Sequence, residues 1–248
     1  MKNKIVILDT ETTDVTPEPW MIQLGYIVCD LEFNELKREN LFFDIGEKKI
    51  DIGAMAIHHI TPKILEQKLS EDTRDNMTKK WLALTDFEDA YLVAHNSPFD
   101  KRALEANGIF TDEDQWIDTY KISYDMYTDD DMRHTLQYLR YFLGCEFSET
   151  IDAHDALSDV IVLKSVFELI YEKYMSKWTG GNPFEEFIED TKIWIVLRTW
   201  TFGKHKGRTF ADTYKTDFKY FVWLYQSKLN SGQINDPVFN TLKYYLEK

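Results

Sequence analysis

Asp9 and Glu11 stand two residues apart, just after the short apolar run of residues 4–8. A β-strand through that run sends both side chains to one face of a sheet, because strand side chains alternate with a period of two. Two carboxylates aimed at one point repel, and a divalent cation that prefers oxygen ligands, Mg²⁺ or Mn²⁺, relieves the repulsion. The same pair at a solvated strand end needs no ion, so its meaning depends on the acids that accompany it. Asp100 closes the stretch Ala94-His-Asn-Ser-Pro-Phe-Asp100 and falls in the first turn of a helix opening near Pro98, where the helix dipole favours a carboxylate. His154 and Asp159 follow. Positions five apart on a continuous helix point about 140° away from each other, too far to serve one site. His154 is therefore expected on a mobile loop before a helix and Asp159 inside it, with an imidazole suited to proton exchange near neutral pH.

The elements that must hold these residues follow from hydrophobic pattern. Residues 4–8, 21–28 and 40–45 read as three strands joined by polar turns, so hairpin connections are expected among them. Helical patterns at residues 54–60 and 79–89 lead to a strand at 91–94 and a helix at 98–106. Beyond Trp116 the pattern turns helical through residues 120–127, 134–142 and 155–174. Strands first and helices after predict an α/β fold, a mixed sheet covered by helices. Gly180, Gly181 and Pro183 mark a boundary before an acidic stretch. The expected division is a catalytic domain over residues 1–177, a connecting segment at 178–190 and a small basic module at 191–248.

Charge supports that division. Residues 191–248 carry ten Lys and Arg against four Asp and Glu, whereas residues 1–190 carry 19 against 39. An acidic body with a basic tail suggests a polyanion-binding appendage, although two ordinary solvated surfaces would give the same count. Cys29 and Cys145 are far apart and belong to no Cys/His cluster, which argues against a disulfide framework and a zinc site. The apolar run behind the N-terminus is too short for a signal-peptide core or a membrane span, so a cytoplasmic protein without a membrane partner is expected.

Asp9-Thr-Glu-Thr-Thr13, His95-Asn-Ser-Pro-Phe-Asp100 and His154 through Asp159, in that order, resemble the DEDDh family of proofreading-like 3′→5′ exonucleases. Residues 54–61 and Ile117-Asp-Thr119 add lesser matches. The tail, with Thr201-Phe-Gly-Lys-His-Lys-Gly-Arg208, is similar to that of the exodeoxyribonuclease-X-like branch. The resemblance implies a ribonuclease-H-like mixed five-stranded sheet flanked by helices. It also implies two divalent ions, Mg²⁺ or Mn²⁺, held by Asp9, Glu11, Asp100 and Asp159, with Asp9 bridging them and His154 acting as general base.

The implied reaction is hydrolysis of DNA 3′ ends, single-stranded or duplex, to nucleoside 5′-monophosphates during repair or degradation. By the same resemblance Thr10, Thr12, Ala54, Met55, His58 and Asn96 meet the substrate, with Thr12 and Glu11 at the free 3′-hydroxyl. Residues 54–60 also suit an amphipathic helix whose Met55 belongs to the core. Lys204, Lys206 and Arg208, around Gly203 and Gly207, are expected to grip phosphate, while Trp200, Phe202, Tyr220, Phe221 and Trp223 read as the module's core rather than a base-stacking platform. An RNA 3′-exonuclease and a catalytically silent nucleic-acid-binding or polymerase-accessory module are the competing readings.

Overall fold

The computed structural model describes residues 2–127, 132–148, 154–176, 178, 180–192, 195–200, 202–231 and 237–247; Thr201, named in the tail motif above, lies outside them. The chain divides into two compact units. The first comprises Met1–Ser123 with Arg133–Thr191, and the second Tyr124–Met132 with Lys192–Lys248.

The first unit is built on a five-stranded sheet of order β3-β2-β1-β4-β5. Its strands are β1 (Lys4–Thr12), β2 (Met21–Cys29), β3 (Glu35–Phe42), β4 (Ala90–Ala94) and β5 (Trp116–Asp118). β1, β2 and β3 pair antiparallel, as the short polar turns predict, and β4 and β5 run parallel to β1. The helices are α1 (Ile52–His58), α2 (Pro62–Glu71), α3 (Asn76–Phe87), α4 (Ser97–Ala106), α5 (Thr119–Met126), of which the first unit holds the part up to Ser123, α6 (Leu136–Phe142), α7 (Ala156–Met175) and α8 (Pro183–Thr191). Val6 and Leu8 face a core with Ala83 and Phe87 of α3 and Leu104 of α4. The odd-numbered residues of β1 face the other way, toward α7, which packs across β1 and β2 through Val160, Leu163, Val166 and Phe167.

Three expectations need correction. The third strand covers Glu35–Phe42 rather than 40–45, because its first half is a charged sheet edge, Glu35, Lys37, Arg38 and Glu39, that no apolar pattern reveals. The hydrophobic pattern does not reveal α2, although Thr61 caps it and Pro62 occupies its first position. The connecting segment expected at 178–190 contains α8, which belongs to the first unit. Phe184 stacks on Tyr91 and Tyr171 at 5.0 and 5.3 Å, and Phe187 lies 5.7 Å from Phe167. Burying each of these rings contributes about 1.5–3 kcal/mol, enough to hold the acidic helix on the sheet.

In the second unit, α9 (Phe210–Thr216), α10 (Phe218–Asn230) and α11 (Pro237–Leu246) surround a core of Trp200, Phe210, Phe221 and Leu242. No helix among the described residues is long and apolar enough to cross a membrane.

Candidate active site

On β1 the residues Asp9 and Glu11 continue the face of Ile5 and Ile7 and point to the α7 side. Their partners across the antiparallel ladder are Gly25 and Gln23 of β2, so these four residues share one face. Gly25 admits α7: a Cβ there would lie 2.5 Å from the Leu157 nitrogen and 2.6 Å from the Ala156 carbonyl carbon. Gln23 then fixes the helix end. Its Nε2 donates to Asp155 Oδ1 at 2.7 Å and to Asn40 Oδ1 at 2.9 Å, while its Oε1 accepts from the Ala156 N–H. Asp155 in turn caps α7 through the Ser158 N–H at 3.0 Å. The start of α7 is thereby docked one strand away from the two β1 acids.

That docking delivers Asp159, which lies inside α7 as the spacing predicts, and His154, which precedes the helix with φ 67°. Oxygens of Asp9, Glu11 and Asp159 gather within 4.8 Å of one another. Asp159 is oriented at both oxygens: Gln137 of α6 donates to Oδ1 at 2.7 Å and the His154 N–H to Oδ2 at 3.0 Å. The His154 ring is half-exposed, and its Nδ1 lies 4.0 Å from Asp159 Oδ2.

Asp100 stands beside this trio rather than in it. Its Oδ1 accepts from the Thr10 N–H at 3.0 Å and the Thr10 hydroxyl at 2.8 Å, so Thr10 supports an acid from behind β1. The turn into α4 is held from β5. Asn96 adopts a left-handed φ of 73° and gives its N–H to Asp118 Oδ1 at 3.0 Å, while its exposed side chain makes no capping bond. His95 bridges Thr119 Oγ1 at 2.9 Å and the His134 carbonyl at 2.7 Å, tying the same turn to the segment before α6. Burial pushes its pKa down to about 4, so it stays neutral and structural.

The electrostatics match a cation site. Desolvation raises Asp9 well above the ordinary carboxylate range, and the charges acting on it most strongly are Asp100, Glu11, Asp159 and Asp155, all carboxylates. Burial, followed by Asp159 and Asp100, pushes Glu11 up to about 9. Burial raises Asp100 to about 7 against the two Thr10 hydrogen bonds, and raises Asp159 against His154 and Gln137. Carboxylates forced together in this way suit hard divalent cations, whose charge replaces the protons.

The remaining expected contacts divide into two groups. The Thr13 carbonyl accepts from the Asp51 N–H at 2.8 Å, which docks the start of α1 on the end of β1. Ala54 and Met55 are half-buried against Ile22, Phe42, Ile45, Ile50, Ile60 and Leu65, so Met55 is part core and part surface. His58 is buried, accepts the Ile60 N–H at Nδ1 and leaves Nε2 without a well-formed hydrogen bond, near the Thr12 carbonyl. The Thr12 hydroxyl is spent on the Asp14 carbonyl. Lys204, Lys206 and Arg208 belong to the second unit. There Lys204 pairs with Asp217 at 2.7 Å and Arg208 donates to Thr216 Oγ1, whereas Lys206 is exposed.

The sequence reading missed Gln23, Gly25 and Gln137. Gly25 interrupts an otherwise fully buried strand, which is the available signal that another backbone approaches there. Gln137 carries no signal, since its partner lies 22 residues away.

The exonuclease family pattern matches residues 6–167, about two thirds of the chain. The chain belongs to the exonuclease family. This exonuclease is 28% identical over 203 residues to exodeoxyribonuclease 10 of Escherichia coli K12, covering 81% of each chain. Its fold matches exonuclease X in complex with 5′-overhanging duplex DNA with a TM-score of 0.53 at 19% identity, over 75% of this chain and 99% of that one. It also matches the zinc-bound form of the Escherichia coli exonuclease I complex with single-stranded DNA, with a TM-score of 0.58 at 18% identity, over 70% of this chain and 41% of that one. The two structural likenesses establish the fold.

Proposed function

We propose that this family member is a metal-dependent 3′→5′ exodeoxyribonuclease that releases nucleoside 5′-monophosphates from DNA 3′ ends. The observation that carries the reading is the convergence of Asp9, Glu11 and Asp159 oxygens within 4.8 Å, with Asp100 alongside. These four acids would hold two Mg²⁺ ions, Mn²⁺ serving as a substitute. Ions bound there would supply positive charge to the entering and leaving oxygens of an in-line displacement.

The chain's own residues do the rest. His154, with Nδ1 turned toward Asp159, leaves Nε2 to accept a proton from the attacking water. The water oxygen bonds to phosphorus as the bond to the 3′-oxygen of the preceding nucleotide breaks, and that oxygen leaves, takes a proton from solvent and becomes the new 3′-hydroxyl end. Glu11 and the Thr12 backbone would meet the terminal 3′-hydroxyl. Ala54 and the half-exposed Met55 would pack on the last base without reading it. His58, buried with Nε2 near the Thr12 carbonyl, would contribute to the same nucleotide's site from beneath the Thr12 backbone, and Asn96 would offer its exposed amide. Chemistry resides in the first unit, and the second, built from the basic tail, holds DNA. A role at DNA ends in the cytoplasm, in repair or degradation, fits the similarity to exodeoxyribonuclease 10.

The test is electrophoresis of matched DNA and RNA oligonucleotides, each labelled at its 5′ end, after incubation with the purified protein in Mg²⁺ or EDTA. Shortening of DNA from the 3′ end, only with Mg²⁺, is expected. Shortening mainly of RNA replaces the substrate, and no cleavage of either overturns the catalytic reading.

A further inference from the structure

Among the aromatic residues of the tail, Trp200 and Phe221 are buried in the core of the second unit, but Trp223 is 60% exposed. That core is closed by Trp200, Phe210, Phe221 and Leu242, with Trp200 stacked on Phe210 at 3.9 Å, so it does not require the Trp223 ring. Tyr220 and Trp223, three apart on α10, face each other with ring centroids 5.5 Å apart and planes 33° apart. Lys219 lies one helical turn before Trp223 and is exposed.

The turn after Trp200 packs onto this face. Gly203 takes a left-handed φ of 68°, and a Cβ there would meet the Tyr220 hydroxyl at 3.2 Å. Lys204 reaches within 4.5 Å of the Tyr220 ring centroid while paired to Asp217, and His205 bonds the same carboxylate at 3.0 Å. These two side chains are therefore committed to building the turn. Lys206 on that turn and Lys219 on α10 are exposed and make no ion pair among the described residues.

We propose that this face of the second unit binds single-stranded DNA, with a base stacking on Trp223, whose ring Tyr220 supports, and backbone phosphates drawn to Lys206 and Lys219. An exposed indole beside a second ring offers any base a π-face, and uncommitted lysines supply the sequence-independent attraction to phosphate. Charge complementarity favours a polyanion: the tail segment that carries this face, residues 191–248, has ten basic against four acidic side chains, and the four further acids of the second unit lie in its other segment, residues 124–132. The proposal deepens the exonuclease reading and rests on it for the choice of polymer. It gives the chain a DNA contact built from residues other than the carboxylate site.

The experiment measures binding of 5′-fluorescein-labelled oligo-dT by full-length protein, by fluorescence anisotropy in EDTA across a series of KCl concentrations. Trp223→Ala is expected to weaken binding roughly 5- to 100-fold, the range seen for loss of one stacked base, and Trp223→Phe to recover most of it. Lys206→Gln with Lys219→Gln is expected to flatten the salt slope by about 1.4, from about 0.7 per phosphate on a single strand. Circular dichroism checks that each variant is folded. Wild-type affinity and slope in both the alanine and the double variant overturn the proposal. Equal affinity of the wild-type chain for poly-glutamate, with the same dependence on Trp223, also overturns it and makes the face a site for acidic protein. Failure of the catalytic reading is read separately, as no release of p-nitrophenolate from the p-nitrophenyl ester of thymidine 5′-monophosphate by wild-type protein with Mg²⁺.

Discussion

In the first unit, Asp9, Glu11 and Asp159 converge, and the strongest charges acting on Asp9 are four further or shared carboxylates. In the second, Lys204 and His205 converge on Asp217, and these partners hold the Asp217 carboxyl below its usual range, the Lys204 contact most strongly. One cluster gathers like charges in a desolvated place, and the other pairs opposite charges at the surface. The second arrangement lowers its own energy and explains itself as structure. The first raises its energy, and the fold maintains it with Gly25, Gln23, Asp155 and Gln137, each of which fixes an approach or a hydrogen bond around the acids. This cluster kept under repulsion is the arrangement on which the proposed cation site rests.

The contrast breaks most readily at the acids themselves. Asp9→Ala or Asp159→Ala is expected to lower single-turnover cleavage of a labelled oligonucleotide by at least about 10³-fold, more than loss of one hydrogen-bond donor to a transition state usually costs. The fold, followed by circular dichroism, should persist, because one source of repulsion is gone. Full activity in either variant would remove the acids from the mechanism. His154→Ala should cost about 10²- to 10⁴-fold, the usual worth of a general base. An unchanged rate would exclude it from that role.

Gly25→Ala sharpens the comparison from the scaffold side. The new Cβ collides with backbone at 2.5 Å, so α7 must shift and carry Asp159 with it. A loss of about 1–3 kcal/mol in urea unfolding is expected, together with weakened metal binding. Wild-type stability would show that α7 is not docked as described.

Stability against pH separates the clusters further. Glu11 is raised from 4.5 to about 9, so the folded state binds a proton more tightly than the unfolded state. Stability in EDTA is therefore greatest below pH 4.5 as far as this group is concerned, and falls as pH rises toward 9. Glu11→Gln should flatten that decline in thermal melts, and a decline of wild-type steepness in the variant would contradict the assignment. The smallest effect is expected at the paired cluster: Asp217→Asn should lower the melting temperature only slightly and leave Mg²⁺-dependent turnover in place. A loss of turnover matching Asp9→Ala would erase the distinction between the clusters.

Much of the site is legible in local sequence because its determinants are local. The spacing of Asp9 and Glu11 fixes a shared face, Pro98 and Asp100 mark a helix start, and the five-residue step from His154 to Asp159 requires the helix to begin between them. What escapes is carried by distant partners. Gln23 acts on Asp155, 132 residues away, and Asp118 holds the backbone of Asn96 from a neighbouring strand. Edge strand β3 hides its first half in charge, and α8 looks like a linker until its phenylalanines find Tyr91 and Tyr171. Trp223 shows the reverse case. Its neighbours Tyr220 and Phe221 suggest a core residue, and only the packing of α10 reveals the ring at the surface.

The most direct test of the central claim is a Mn²⁺ titration of wild type, Asp9→Asn and Asp159→Asn, with free Mn²⁺ followed by electron paramagnetic resonance at pH 8. Saturable binding by wild type that is lost or strongly weakened in both variants is the predicted result. Equal binding by all three proteins would contradict the claim that these converging carboxylates are arranged for a cation.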